Sequence, residues 1–255
     1  MSRPASRHTD LPRSDRVRHP HRVLLRSPLR PIARFVFRRR VRVRVRGAEL
    51  VPRTGPVIFA ANHISVSDGP MLAVFGPRPV HALTKIEMFK GALAHLLWWA
   101  GQVPVDRFFS DPRAVKLCLR VLRDGNAIGI FPEGRRGSGD LERFHRGAAY
   151  FALVSGAPVV PVVFLGTRPP GGHSNSLPPR GATVDILFGA PYQLTATTWP
   201  RTREQVEQAS VLLREHMLAH LDQALATTGR ELPGALPATE VEPDPATGVT
   251  EQGAP

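Results

Sequence analysis

Residues 56–76 read PVIFAANHISVSDGPMLAVFG: an apolar run ending at Asn62-His63, a short polar loop, then a second apolar stretch opening at Gly-Pro. The first run has the length and composition of a strand buried on both faces. The second suits a short helix, with Pro70 in its first turn and Ser67 or Asp68 available as a cap. A strand delivering a polar loop into a helix is one unit of an α/β sheet.

The rest of the chain repeats that unit. Downstream, VHALTK (80–85), QVPVDR (102–107), NAIGIFPEG (126–134), PVVPVVFLG (158–166) and ATVDILFG (182–189) read as strands. PVVPVVFLG is a proline-broken run able to line a pocket. Between the strands lie EMFKGALAHLLWWAG (87–101), DPRAVKLCLRVLRDG (111–125) and GAAYFALVSGA (147–157), all helical in pattern, and a long helix covers 203–226. Asp111 caps the second of these, with Pro112 at its first position and Gly125 at its end. Leu93, Leu96, Leu97, Trp98 and Trp99 make the first apolar enough for the core, or for a lipid-facing surface. Upstream, VRVRVR (41–46) alternates strictly, as an edge or half-exposed strand does. The expectation is an α/β fold: one domain over 41–228 with a mostly parallel central sheet flanked by helices. A basic arm (1–40), amphipathic or disordered, precedes it, and a disordered acidic tail rich in Pro, Gly, Ala and Glu (229–255) follows.

Charge is confined to the arm. Residues 1–47 hold 15 Arg against Asp10 and Asp15, which accounts for the whole net charge of +13, and the other 208 residues balance. Such an arm attracts polyanions, either nucleic acid or an anionic bilayer. Between Arg22 and Arg40, Val23, Leu24, Leu25, Leu29, Ile32, Phe35, Val36 and Phe37 interleave with the arginines, which favours the bilayer surface. Pro28 and Pro31 limit helix there to short pieces. The segment has no apolar h-region followed by a small-residue cleavage site, and no run approaches a membrane span. The single cysteine, Cys118, lies at an apolar helical position and reads as a buried, inert thiol in a reducing compartment.

Taken alone, His63 is a structural histidine and Asp68 a helix cap. In an α/β sheet, however, loops that follow parallel strands gather at one edge. Arg107 follows QVPV, and Arg135 and Arg136 follow FPEG in a glycine-bearing loop where guanidinium forks suit a phosphate or carboxylate.

In this order and at these separations, NHISVSD, VPVDR, FPEGRR and VVPVVF resemble the four blocks of the glycerolipid acyltransferase family, which includes 1-acylglycerol-3-phosphate acyltransferases. The similarity covers about residues 41–210. It implies that family's fold, with His63 as general base and Asp68 as its partner. An imidazole would take the proton of an acceptor hydroxyl as the oxygen attacks an acyl thioester, with the carboxylate holding the tautomer. Because the substrate supplies the nucleophile, Ser65 and Ser67 are left as loop or capping residues. The resemblance places Arg107, Glu133, Gly134 and Arg136 in substrate binding, with Arg135 beside them, and Lys85 of TKIEMFKG matches the family pattern as well. The family's third block commonly has Thr and Ser where this chain has Arg135 and Gly137. The extra cation points either to tighter phosphate binding or to a different acceptor.

The resemblance therefore implies a lysophospholipid and an acyl thioester as substrates, carried on coenzyme A or acyl carrier protein, with no further cofactor and no metal. The expected place is peripheral, on the cytoplasmic face of the cell membrane. Two other classes compete with this reading: a catalytically idle binding module for anionic lipid or nucleic acid, and a metal hydrolase. The arm lacks the aromatic interleaving of a base-stacking surface, so nucleic acid is not expected as a partner. No spaced cluster of His and carboxylates accompanies His63, as a metal hydrolase would need.

Overall fold

The computed structural model describes residues 17–21, 29–109, 111–197, 201–240 and 248–249. Along the chain run α1 (Leu29–Arg40), β1 (Arg42–Arg46), β2 (Val57–Ala61), α2 (Asp68–Phe75), β3 (Val80–Lys85), α3 (Gly91–Trp99) and β4 (Val103–Val105). They continue with α4 (Pro112–Arg123), β5 (Ala127–Ile130), β6 (Phe144–His145), α5 (Gly147–Ser155), β7 (Val159–Leu165), β8 (Thr183–Phe188), α6 (Arg203–Thr228) and β9 (Gly248–Val249). Seven strands form one sheet in the order β1-β8-β7-β2-β5-β3-β4, and β6 pairs with β9. All neighbours in the large sheet are parallel except β7 and β8.

Every residue of β2, β5 and β7 is buried, as strands covered by helices on both faces must be. Alternation along β2 divides the core. Ile58 and Ala60 pack with α4, α5 and α6, while Val57, Phe59 and Ala61 pack with Met71, Leu72 and Phe75 of α2. Cys118 is buried in the first of these cores, and burial raises its thiol pKa. β7 is continuous through Pro161, not broken there; its carbonyl accepts the Gly189 N–H at 2.9 Å.

The edge strand β1 alternates in exposure as VRVRVR requires. Asp111 caps α4 by accepting from Arg113 and Ala114 N–H, and Thr202 with Gln205 forms a capping box on α6.

Three further expectations change. The 87–101 segment is not core: it forms a 3-10 turn and α3, and no residue of α3 is buried. Trp99 is 58% and Leu96 54% exposed. The helix in the arm is not broken at Pro31. Pro31 falls in the first turn of α1, where a missing N–H costs nothing, and the helix runs on for 12 residues. Arg30 and Arg34 of that helix donate to Val74 O and Gly76 O at the end of α2. Residues 1–16 and 22–28 lie outside the described residues. Of the expected acidic tail, residues 229–240 pack on the domain: Arg230 pairs with buried Asp185 at 2.7 Å and Glu240 accepts from Ser174 N–H at 2.7 Å. The segments 241–247 and 250–255 also lie outside the described residues.

Candidate active site

The C-terminal ends of β2, β3, β4 and β5 deliver His63, Lys85, Arg107 and Glu133 to one edge of the sheet. Asn62, the last residue before the loop, extends the sheet with its side chain: its Oδ1 accepts from Phe164 N–H at 2.7 Å and its Nδ2 donates to Phe164 O at 3.2 Å. His63 therefore leaves a strand whose end is pinned to β7.

His63 Nδ1 lies 2.9 Å from Asp68 Oδ2. The same oxygen accepts the N–H groups of Ile64 and Ser65, each at 2.8 Å, and Asp68 is fully buried. Ser67 stands at the helix N-cap without a side-chain cap bond, so Asp68 closes the turn from inside α2's first turn. Ser65 and Ser67 bond one another at 3.0 Å, and Ser65 Oγ also donates to Ser176 O. They serve the loop, as expected. The imidazole stacks on Phe131 with ring centroids 4.2 Å apart, which fixes its plane. With Nδ1 committed to Asp68, Nε2 is the nitrogen left for chemistry.

His63 lines a cleft of about 810 Å³. Leu83, Val105, Val115, Ile130, Phe151 and Val206 give it an apolar lining, and among its charged groups Lys85, Arg107, Arg146 and Arg203 outnumber Asp106 and Asp111, with His145 beside them. That combination suits a ligand with a long apolar part and an anionic head.

The candidate substrate-binding residues divide. Lys85, Arg107 and Gly134 line the cleft with His63. Arg107 also donates to Gly134 O at 2.7 Å, tying the β4 loop to the β5 loop. Gly134 has φ 68°, a backbone conformation that favours glycine, and a Cβ there would lie 2.5 Å from His145 Nε2 and displace that ring. Glu133, Arg135 and Arg136 are not in the cleft wall. Glu133 is buried behind His63 and accepts its backbone N–H at 2.8 Å. Burial raises the Glu133 pKa well above the carboxylate range; the His63 N–H opposes this, and the nearby Asp140 and Asp68 carboxylates add to it. Arg136 reaches the 174–175 loop, donating to Ser174 O at 3.2 Å and Asn175 Oδ1 at 2.6 Å.

Among the described residues no three His, Cys, Asp or Glu side chains converge to hold a metal ion, and no helix is long and apolar enough to cross a membrane.

The family profile described as Acyltransferase matches residues 42–165, a span that contains the His63–Asp68 pair and the 131–139 loop. Over that span the chain is similar to acyltransferases. It is 32% identical over 126 residues to a Bacillus subtilis protein named 1-acyl-sn-glycerol-3-phosphate acyltransferase, covering 49% of this chain and 63% of that one. A Borreliella burgdorferi protein of the same name is 31% identical over 133 residues, covering 50% and 53%. The matched segment thus spans little more than half the length of these relatives. The fold is also that of the crystal structure of the 1-acyl-sn-glycerophosphate (LPA) acyltransferase PlsC from Thermotoga maritima: TM-score 0.59, 21% identity, covering 76% of this chain and 78% of that one.

Sequence reading missed Phe131 and His145, both in the cleft wall, and buried Arg168 beyond β7. His145 had a signal, since it follows the glycine-bearing loop directly. Arg168 had little beyond its place after a buried strand.

Proposed function

We propose that this chain is an O-acyltransferase that works at a bilayer surface. It moves a fatty acyl group from coenzyme A or acyl carrier protein to the free hydroxyl of a lysophospholipid. The acceptor this reading takes first is 1-acyl-sn-glycerol-3-phosphate, which gives phosphatidic acid, and the names of the relatives support that choice. The observation that carries it is a histidine whose Nδ1 is held by a buried aspartate and which lines a cleft with an apolar wall and cationic groups.

His63 Nε2 takes the hydroxyl proton as the acceptor oxygen attacks the thioester carbonyl. The new C–O bond forms, the C–S bond breaks, and the imidazolium returns its proton to the leaving thiolate. Asp68 stabilises the positive ring between those steps. The apolar wall takes the acyl chain, and Lys85 and Arg107 hold the acceptor's anionic head. Glu133 and Gly134 act by shaping the site, and Arg135 and Arg136 lie beside it. Arg135, in place of the threonine common in the family the sequence resembles, favours a second reading with the same chemistry on another lysolipid or a hydroxylated metabolite.

Two exposed apolar strips support the bilayer as partner. α1 shows Leu29, Ile32, Phe35 and Val36 among arginines, and α3 shows Leu93, Leu96, Trp98 and Trp99. Between Met88 and Val105 no acidic residue occurs. This arrangement suits apolar insertion combined with attraction to anionic lipid, and the cytoplasmic face is where acyl thioesters are available.

The test is purified full-length protein with labelled palmitoyl-coenzyme A or palmitoyl-acyl carrier protein and a panel of lysolipids, with His63→Ala as control. Labelled phosphatidic acid from the wild type alone is the expected result. A folded protein that acylates no lysolipid overturns the reading. Flotation with anionic liposomes, run beside a nucleic-acid binding assay, tests the partner.

A further inference from the structure

Arg168 is the largest fully buried side chain among the described residues, and it lies just beyond β7, outside the cleft wall. Its guanidinium is spent on backbone. Nε donates to Ile64 O at 2.9 Å, Nη1 to Gly172 O at 2.9 Å, and Nη2 to both Gly137 O, at 2.9 Å, and Gly234 O. These carbonyls belong to four separate segments: the His63–Asp68 loop, the loop after β5, the loop after β7 and the strap after α6.

Two of the four adjoin the base itself. Ile64 follows His63; Arg168 holds its carbonyl while Asp68 holds its N–H. Gly137 donates its N–H to His63 O at 2.8 Å while its own carbonyl is held by Arg168. The peptides before and after the Ile64 Cα are thus gripped by a carboxylate and by a cation respectively. Burial lowers the Arg168 pKa, and the Asp68 and Glu240 carboxylates push it back up, so the guanidinium shares the field of the carboxylate that orients His63.

We propose that Arg168 is a positioning residue for the His63–Asp68 pair, locking the Ile64 and Gly137 peptides so that His63 Nδ1 stays on Asp68 and Nε2 stays aimed into the cleft. The inference rests on the acyltransferase reading only for what turnover means; the geometry it concerns is measurable without turnover. A planar fork with several donors is needed, since an ammonium cannot reach four carbonyls that approach from different sides.

The experiment compares full-length wild type, Arg168→Lys and Arg168→Met. The readouts are circular dichroism, the His63 Nδ1–H resonance in protein with ¹⁵N-labelled histidine, and kcat and KM for both substrates. Arg168→Met should lower kcat about 10²-fold, the cost of a base misplaced by an ångström, with both KM values within about threefold. It should also broaden or shift the Nδ1–H resonance while the folded fraction stays high. Arg168→Lys should show the same changes at smaller size. A folded Arg168→Met with unchanged resonance and kcat overturns the proposal, as does a fall in kcat with the resonance unmoved. Should Arg168→Met not fold, Arg168→Lys decides: a shifted resonance with lowered kcat supports the proposal, and wild-type values for both refute it. If wild type transfers no acyl group, the acyltransferase reading fails and the resonance alone still decides for or against Arg168.

Discussion

Asp68→Asn separates charge from geometry in this site. Asp68 Oδ2 accepts from His63 Nδ1 at 2.9 Å and from the backbone N–H groups of Ile64 and Ser65 at 2.8 Å each. Those two backbone donors cannot reverse, so in the variant only the amide oxygen can occupy that place. The amide NH₂ must turn to the Oδ1 side, where the buried Asp68 Oδ1 has no hydrogen-bond partner. His63 therefore keeps an acceptor at Nδ1, and with it the tautomer that leaves Nε2 free to take a proton. What disappears is the negative charge that stabilises the imidazolium. A hydrogen bond to a charged partner contributes about 1.5–3 kcal/mol, which corresponds to roughly 10- to 150-fold in kcat. Removing the base itself with His63→Ala should cost more, about 10²- to 10⁴-fold. Thiol release from palmitoyl-coenzyme A, followed with a disulfide reagent, measures both, since buried Cys118 does not compete for it. If Asp68→Asn is as inactive as His63→Ala, the amide has inverted and the two backbone donors do not set its orientation. Wild-type kcat would show that the carboxylate charge has no part in turnover.

Glu133→Gln tests the buried acceptor behind His63. A carboxyl whose folded pKa is raised above its unfolded value, about 4.3, stabilises the fold most below that value and loses the contribution as pH rises through the raised one. The amide keeps an acceptor for the His63 N–H and has no proton to lose. Urea denaturation from acid to neutral pH should show wild-type stability declining relative to the variant; parallel curves refute this. Arg107→Ala should raise the acceptor KM by roughly 10- to 150-fold, one charge-assisted bond, whereas Arg136→Ala, which frees Ser174 O and Asn175, should leave both KM values near wild type. Equal rises in the acceptor KM would put Arg136 in the site. Val115→Phe narrows the apolar wall, and each excluded methylene should cost about 0.8 kcal/mol, roughly fourfold, shifting preference toward shorter acyl donors. An unchanged chain-length profile would place the acyl chain elsewhere.

Much of the fold is legible because strands buried on both faces have no polar positions to confuse them. β2, β5 and β7 are unbroken apolar runs for that reason. The direction of β8 is not legible, since its alternation would serve a parallel or an antiparallel neighbour equally. α3 misleads for a related reason. A helix apolar on all sides must bury itself against something, and composition does not say whether that is the protein's own core. In α1 the arginines look solvated, yet Arg30 and Arg34 bond carbonyls at the end of α2, more than 30 residues away in sequence.

In the site, the five-residue interval between His63 and Asp68 is a local signal: the loop it closes returns the carboxylate to the ring and to two N–H groups between them. Glu133 is harder to read. Its position between Pro132 and Gly134 shows that it belongs to the site but not which way it faces, and it turns inward to bond the backbone of the base rather than outward to a ligand. Arg168 is harder still, because its guanidinium bonds to carbonyl oxygens. Every residue carries one, so no side-chain pattern marks which four will converge. A residue that contacts substrate must match the substrate's chemistry and so repeats as a motif, whereas one that contacts backbone need only match a shape. That shape exists only after the loops beyond β2, β5 and β7 have met at one end of the sheet. His63, Asp68 and the cations at the ends of β3 and β4 are therefore legible in the sequence, whereas Arg168, which ties the loops together, emerges only from the fold.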